Sequence, residues 1–185
     1  MLERADAIDL SSLIPPNLET GYDIMLTTTK RTAKTASSKP KEATALLRAD
    51  HKVVSNLFDE YEKTKSPSKK KQIVAQICTE LTIHAQVEEE IFYPAVKEAL
   101  NDHDLVPEAT VEHATLKGLI AEVEGAEPDG DMFDAKIKVL SEYVKHHVKE
   151  EQNEMFPKAK STELDMLELG AKLSERKKAL LEARG

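Results

Sequence analysis

The chain has 185 residues, enough for one domain with a hydrophobic core and too few for two of ordinary size. Aromatic residues are 4% with no Trp, and 6 Gly and 8 Pro supply few turns, so an all-helical fold is expected in place of a strand-rich sandwich or barrel. The single Cys78 excludes an internal disulfide framework and a thiolate zinc site, and a net charge of -8 opposes a general affinity for nucleic acid or anionic membrane.

The opening MLERADAIDL carries acids and lacks the apolar core of a signal peptide, and nowhere do 18 apolar residues run together. A cytoplasmic location is the expectation. Residues 1–41 lack periodicity and become rich in Thr, Ser and Lys from Leu26 onward, which predicts a flexible basic tail. Met25 stands immediately before that stretch and is an alternative start.

Beyond Lys41 the pattern changes. Leu47, His51, Val54, Phe58 and Tyr61 recur at bundle-helix spacing up to the polar turn KTKSPSKKK. A second stripe carries Ile73, Ile77, Leu81, His84, Glu88, Ile91 and Ala95, from Ser66-Pro67 to Asn101-Asp102, with a kink expected at Pro94. After Pro107, a third stripe runs through Ala109, His113, Leu116, Ile120 and Val123 to Gly125. The fourth runs through Phe133, Ile137, Leu140, Val144, His147, Glu151 and Met155 to an expected stop at Pro157. Four such helices with short connections predict an up-down-up-down bundle over 42–160. Leu164, Leu167, Ala171 and Leu180 predict a fifth, accessory helix within 161–185, packed on the bundle's outside or end.

The second half of the bundle repeats the first. His51 precedes His84 by 33 residues and His113 precedes His147 by 34, while Glu88 and Glu151 each follow their His by four. Pro94 and Pro157 each lie ten residues after the same His, and Asp50-His51 parallels Glu112-His113. Residues four apart share one helix face, so each pair aims an imidazole and a carboxylate in the same direction. They continue the apolar stripes, so that direction is inward. A carboxylate in an apolar core costs several kcal/mol unless it is paired or bound to metal, and the stripes carry no Lys or Arg. His51, His84, Glu88, His113, His147 and Glu151 are therefore the expected metal ligands. This donor set without sulfur suits iron, manganese or zinc. With both Glu bridging two ions and an oxide or hydroxide between them, each ion keeps one position open for a small ligand.

The blocks LLRADHKVV, HAQVEEEIFYP, VEHATLKGL and HVKEEQNEMFP resemble the four metal-binding segments of the hemerythrin-like family, the HHE cation-binding domain, over residues 42 to 160. The resemblance implies a four-helix bundle around two non-haem iron ions held by those six residues, and a diatomic or peroxide ligand. The chain departs from the oxygen-carrying hemerythrins, which have a fifth His on the third helix and an Asp on the fourth. One turn from His113 stand Ala109 and Lys117 instead, which predicts rapid oxidation in air in place of reversible oxygen carriage.

Two rival readings are an oxidase or peroxidase using the open positions, and a helical interaction module that its metal only locks together. The Glu-x-x-His signature of ferritin-like oxidases is absent, since Leu81, Val144, Arg48 and Thr110 stand three before the candidate His. His146 with Glu150 is an alternative to His147 with Glu151, but the proline register and the fourth stripe select the latter. His103 and the run Lys69-Lys70-Lys71 read as solvated, and Glu89, Glu90 and Glu150 as solvated faces, one of which has the option of steadying an imidazole. Tyr143 reads as core packing and Cys78 as a small buried hydrophobe.

Overall fold

A computed structural model of the chain describes residues 41–128 and 130–184. Apart from Lys41, the expected N-terminal tail and the alternative start at Met25 lie outside them. The described elements are all helical: α1 (Ala43–Lys63), α2 (Pro67–Val87), a π turn (Glu88–Phe92), α3 (Tyr93–Leu100), α4 (Leu105–Val123), α5 (Asp131–Glu150), a second π turn (Glu151–Met155), α6 (Phe156–Lys160) and α7 (Met166–Arg184). None of these helices is long and apolar enough to cross a membrane. The four rods α1, α2–α3, α4 and α5–α6 form the up-down-up-down bundle, and α7 packs outside it against α1 and α2.

Local chemistry sets most of the boundaries. Ser66 caps α2 by accepting from the Lys69 amide, and Pro67 fills the first turn, where a missing N–H costs nothing. Asn101 ends α3 in the left-handed region at φ 49°, and Gly125 does the same after α4 at φ 74°. The third helix starts earlier than its stripe suggested. The Asp102 carboxylate accepts from the amides of Leu105 and Val106, placing Pro107 inside the first turn, which tolerates proline.

A π turn precedes each of the two prolines, and the expected stop at Pro157 is corrected. Just before Pro94, a π turn begins at Glu88 and its closing bond runs from the Tyr93 amide to the Glu88 carbonyl. The same bond runs from Phe156 to Glu151, and Pro157 does not stop the chain, because α6 continues to Lys160. A wider turn makes room for the proline ring against the carbonyl four residues back, and it inserts one residue into the helical count. The inward face therefore advances by one. Phe92 and Val96 are buried where the second stripe anticipated Ile91 and Ala95, both only half-buried.

Two apolar blocks fill the interior. One is built on Val54, Phe58, Ile77, Leu116, Ile137 and Leu140, the other on Leu47, Phe92, Val96, Met155, Phe156 and Leu173. The expected contacts of the fifth helix hold in part, since Leu164 and Leu180 pack against the second block. Leu169, Gly170 and Leu173 are buried, whereas Leu167 and Ala171 are exposed. The reason is backbone proximity: a Cβ at Gly170 would overlap the carbonyl oxygen of Lys41 and lie 2.9 Å from the amide of Ala43. Only glycine lets α7 approach the start of α1 this closely. Gly170→Ala is expected to destabilise the fold by about 1–3 kcal/mol, as overpacking does. Gly118→Ala, on an exposed helix position with nothing near its Cβ, should instead stabilise by up to about 1 kcal/mol. Circular-dichroism melting of both variants checks the pair, and equal shifts would contradict the close approach.

Candidate metal centre

Between the two apolar blocks, α1, α2, α4, α5 and the two π turns bring six polar side chains to one level of the core. His51, His84, Glu88, His113, His147 and Glu151 are all buried, and the two Glu are at most 1% exposed. Their donor atoms fall into two overlapping groups. His51, His84, Glu88 and Glu151 make one, and Glu88, His113 and His147 make the other. His51 Nε2 lies 2.8 Å from His84 Nε2 and 3.2 Å from Glu151 Oε2, and His84 Nε2 lies 3.2 Å from Glu88 Oε2. On the other side His113 Nε2 lies 3.1 Å from His147 Nε2 and 3.5 Å from Glu88 Oε2, and His147 Nε2 lies 3.6 Å from Glu151 Oε2. With metal–donor bonds of about 2.1 Å, donors around one ion sit roughly 3.0–3.4 Å apart. The spacing fits two ions sharing Glu88.

The hydrogen bonding makes the same point. Neither oxygen of Glu88 has a hydrogen-bond partner, and neither does Oε2 of Glu151. Buried carboxylate oxygens left without donors cost several kcal/mol, and among the described residues no Lys or Arg pairs with either Glu to offset that. Cations coordinated by those oxygens would. Burial, then the charge of Glu151, pushes the Glu88 carboxyl well above its usual range. Burial, then His51, lowers His84 to about 4, and burial, then His147, lowers His113 to about 4, which keeps both as neutral imidazoles able to coordinate.

A surrounding layer orients the imidazoles. His147 Nδ1 donates to Glu112 Oε2 at 2.7 Å, and His113 Nδ1 donates to Glu89 Oε1 at 3.1 Å, with Lys117 on the same Glu89 carboxylate. Asp50 Oδ2 stands 3.7 Å from His84 Nδ1, and its other oxygen accepts from Lys177 Nζ of α7 at 2.8 Å. The Gln152 side-chain amide sits 2.9 Å from His51 Nδ1 and is itself held by Arg48. The matching flanks Asp50 and Glu112 were visible in the repeat, though not the task they share, which is to reach across to the His of the neighbouring helix.

Tyr93 was missed altogether. Its hydroxyl donates to Glu151 Oε1 at 2.9 Å and lies 3.1 Å from His113 Nε2, in the space beside the second group. This also alters the symmetry expected of the two Glu. Glu88 has both oxygens open for bridging, while one oxygen of Glu151 is taken by Tyr93. The only available signal was the repeat itself, which sets Tyr93 of FYP against Phe156 of MFP.

Among the other weighed residues, His103 is exposed, and Tyr143 packs against the first apolar block. Cys78 is buried, and burial pushes its thiol up to about 11. Beside the four His, a cavity of about 20 Å3 is lined by Val54, Leu81, Leu116, Ile120 and Val144, room for one small guest.

A model of the hemerythrin HHE cation-binding domain matches residues 42–159. A DNA nickase from Nostoc sp. is 31% identical over 111 residues, covering 60% of this chain; the matched part is 31% of that protein, so the chain spans less than a third of its length. The crystal structure of a hemerythrin HHE cation-binding domain-containing protein from Mycobacterium kansasii superposes with a TM-score of 0.68 over 77% of this chain and 89% of that one, at 20% identity, a likeness of fold.

Tyr93→Phe should leave Glu151 Oε1 buried without a donor. The metal-free variant is expected to lose about 1–3 kcal/mol in urea unfolding. An unchanged midpoint would remove Tyr93 from the network.

Proposed function

This chain belongs to the hemerythrin HHE cation-binding domain family, and from that premise we propose that it is a non-haem di-iron protein that takes a small ligand such as oxygen, nitric oxide or peroxide, in sensing, scavenging or oxygen handling. The observation that carries the reading is Glu88, fully buried between two His pairs with neither oxygen hydrogen-bonded. His51 and His84 would hold one ion and His113 and His147 the other, with Glu88 shared and Glu151 contributing Oε2. Manganese or zinc would fit the same donors. Bound iron would supply one-electron chemistry and open positions for the ligand.

What the chain's own residues contribute is access, orientation and charge. The small apolar cavity against the His edges favours a compact, uncharged guest and excludes larger organic substrates. That supports ligand binding over an enzyme acting on a larger substrate. Glu112, Glu89 and Gln152 fix three imidazole planes, so little reorganisation accompanies ion binding. Tyr93 places a buried hydroxyl beside His113, positioned to hold or pass a proton at Glu151 Oε1. No observation favours carrying the nickase activity of the Nostoc protein to this chain.

Metal analysis of purified protein with an ultraviolet-visible spectrum tests the reading. Wild type is expected to hold two irons per chain, Glu88→Ala to lose at least one, and His103→Ala to keep both. Full iron content in Glu88→Ala would overturn the assignment.

A second test uses pH. The metal-free Glu88 carboxyl titrates above its unfolded value, so its protonated form contributes stability at low pH that is lost as pH rises through the raised pKa. A bound cation replaces that proton, and the loaded form does not suffer the loss. The melting-temperature gap between loaded and chelated protein should therefore widen from mildly acid to neutral pH. A gap that stays constant or narrows would show that Glu88 does not bind the cation.

A further inference from the structure

Around α5 the sequence HHVKEE places two His-x3-Glu pairs side by side, and only one enters the core. The inner pair is His147 and Glu151. The outer pair, His146 and Glu150, lies about 100° round the helix. Glu112 reaches the outer pair from α4. His146 Nε2 is 3.2 Å from Glu150 Oε1 and 3.5 Å from Glu112 Oε1, again the separation of donors around one ion. Glu112 is nearly buried, and its other oxygen is already committed to His147.

The repeat shows that this cluster is not an incidental product of the bundle pattern. The equivalent positions of the first hairpin are Ile83 and Val87, both buried. The residue equivalent to Glu112 is Asp50, and its outward oxygen is neutralised by the ammonium of Lys177 from α7. No Lys or Arg does this for Glu112 or Glu150: among the described residues, their ion-pair partners are His146 and His147 alone. Because His147 points into the inner centre, His146 is the one outward-facing partner of these two carboxylates among the described residues.

We propose that Glu112, His146 and Glu150 form an outer site for a divalent transition-metal cation, which supplies on this face the positive charge that Lys177 supplies on the other. One nitrogen and two carboxylate donors suit Zn2+, Fe2+, Mn2+ or Co2+, and the 58% exposure of the His146 side chain leaves the remaining coordination positions to water. Because Glu112 bridges this site and His147, an ion held here sits one carboxylate away from the inner centre.

The test is equilibrium dialysis of the full, iron-loaded chain against Co2+, with metal counted and visible absorption recorded. Wild type and His103→Ala are expected to take up one Co2+ per chain more than His146→Ala and Glu150→Gln, whose affinity should fall at least about tenfold. Both test residues are outside the inner donor set, so their iron content should match wild type. Equal Co2+ uptake by wild type and the two variants would overturn the outer site. Should the inner centre bind no iron, Co2+ entering it would be counted equally in every variant, so failure of the di-iron reading and failure of this one give different results.

Discussion

Two carboxylates in an apolar core are the constraint on which the rest of this structure depends. Glu88 and Glu151 are held at one level by four helices, and three of their four oxygens have no donor. Without cations they repel each other and resist dehydration, and with cations they become the tie between the two hairpins. The apolar blocks on either side keep water away and make the electrostatics at that level stronger. The need for counter-charge at that level and for an orienting outer layer follows from that placement.

The internal repeat builds a nearly symmetric centre, and the departures from symmetry give its halves different chemistry. Tyr93 puts a hydroxyl where the other half puts Phe156, whose ring stacks 5.9 Å from His51. Asp50 is neutralised by α7, while Glu112 faces solvent through His146 and Glu150. The fifth helix packs chiefly on the first hairpin. Arg176 and Lys177 connect it to Glu90, Asp50 and Glu80, so its docking and the orientation of His84 share an ion-pair network.

The π turns deserve their place beside the prolines. Each begins at a core-facing Glu and runs directly into a helix whose second residue is proline. Inserting one residue there lets the His-x3-Glu pairs point inward while Phe92 and Val96, rather than Ile91 and Ala95, close the core beyond the site in the first hairpin, and Phe156 joins Met155 there in the second.

The sequence by itself determined the helical class, the four stripes and the six inward donors, because helical period and His-x3-Glu spacing are local properties that a chain writes directly. It could not show the π turns, since straight extrapolation of a 3.6-residue period has no place for an inserted residue, and so Ile91 and Ala95 were read for Phe92 and Val96. The roles of Glu112 and Asp50 were also out of reach, because their partners are 35 and 34 residues away on other helices, whereas Glu89 was already a candidate to steady an imidazole and does so at His113. Only tertiary packing decided that Gly170 admits α7 against α1, that Lys177 covers Asp50, and that the Tyr93 hydroxyl enters the core. Each of these depends on distances between elements, which the spacing of residues along one helix does not contain.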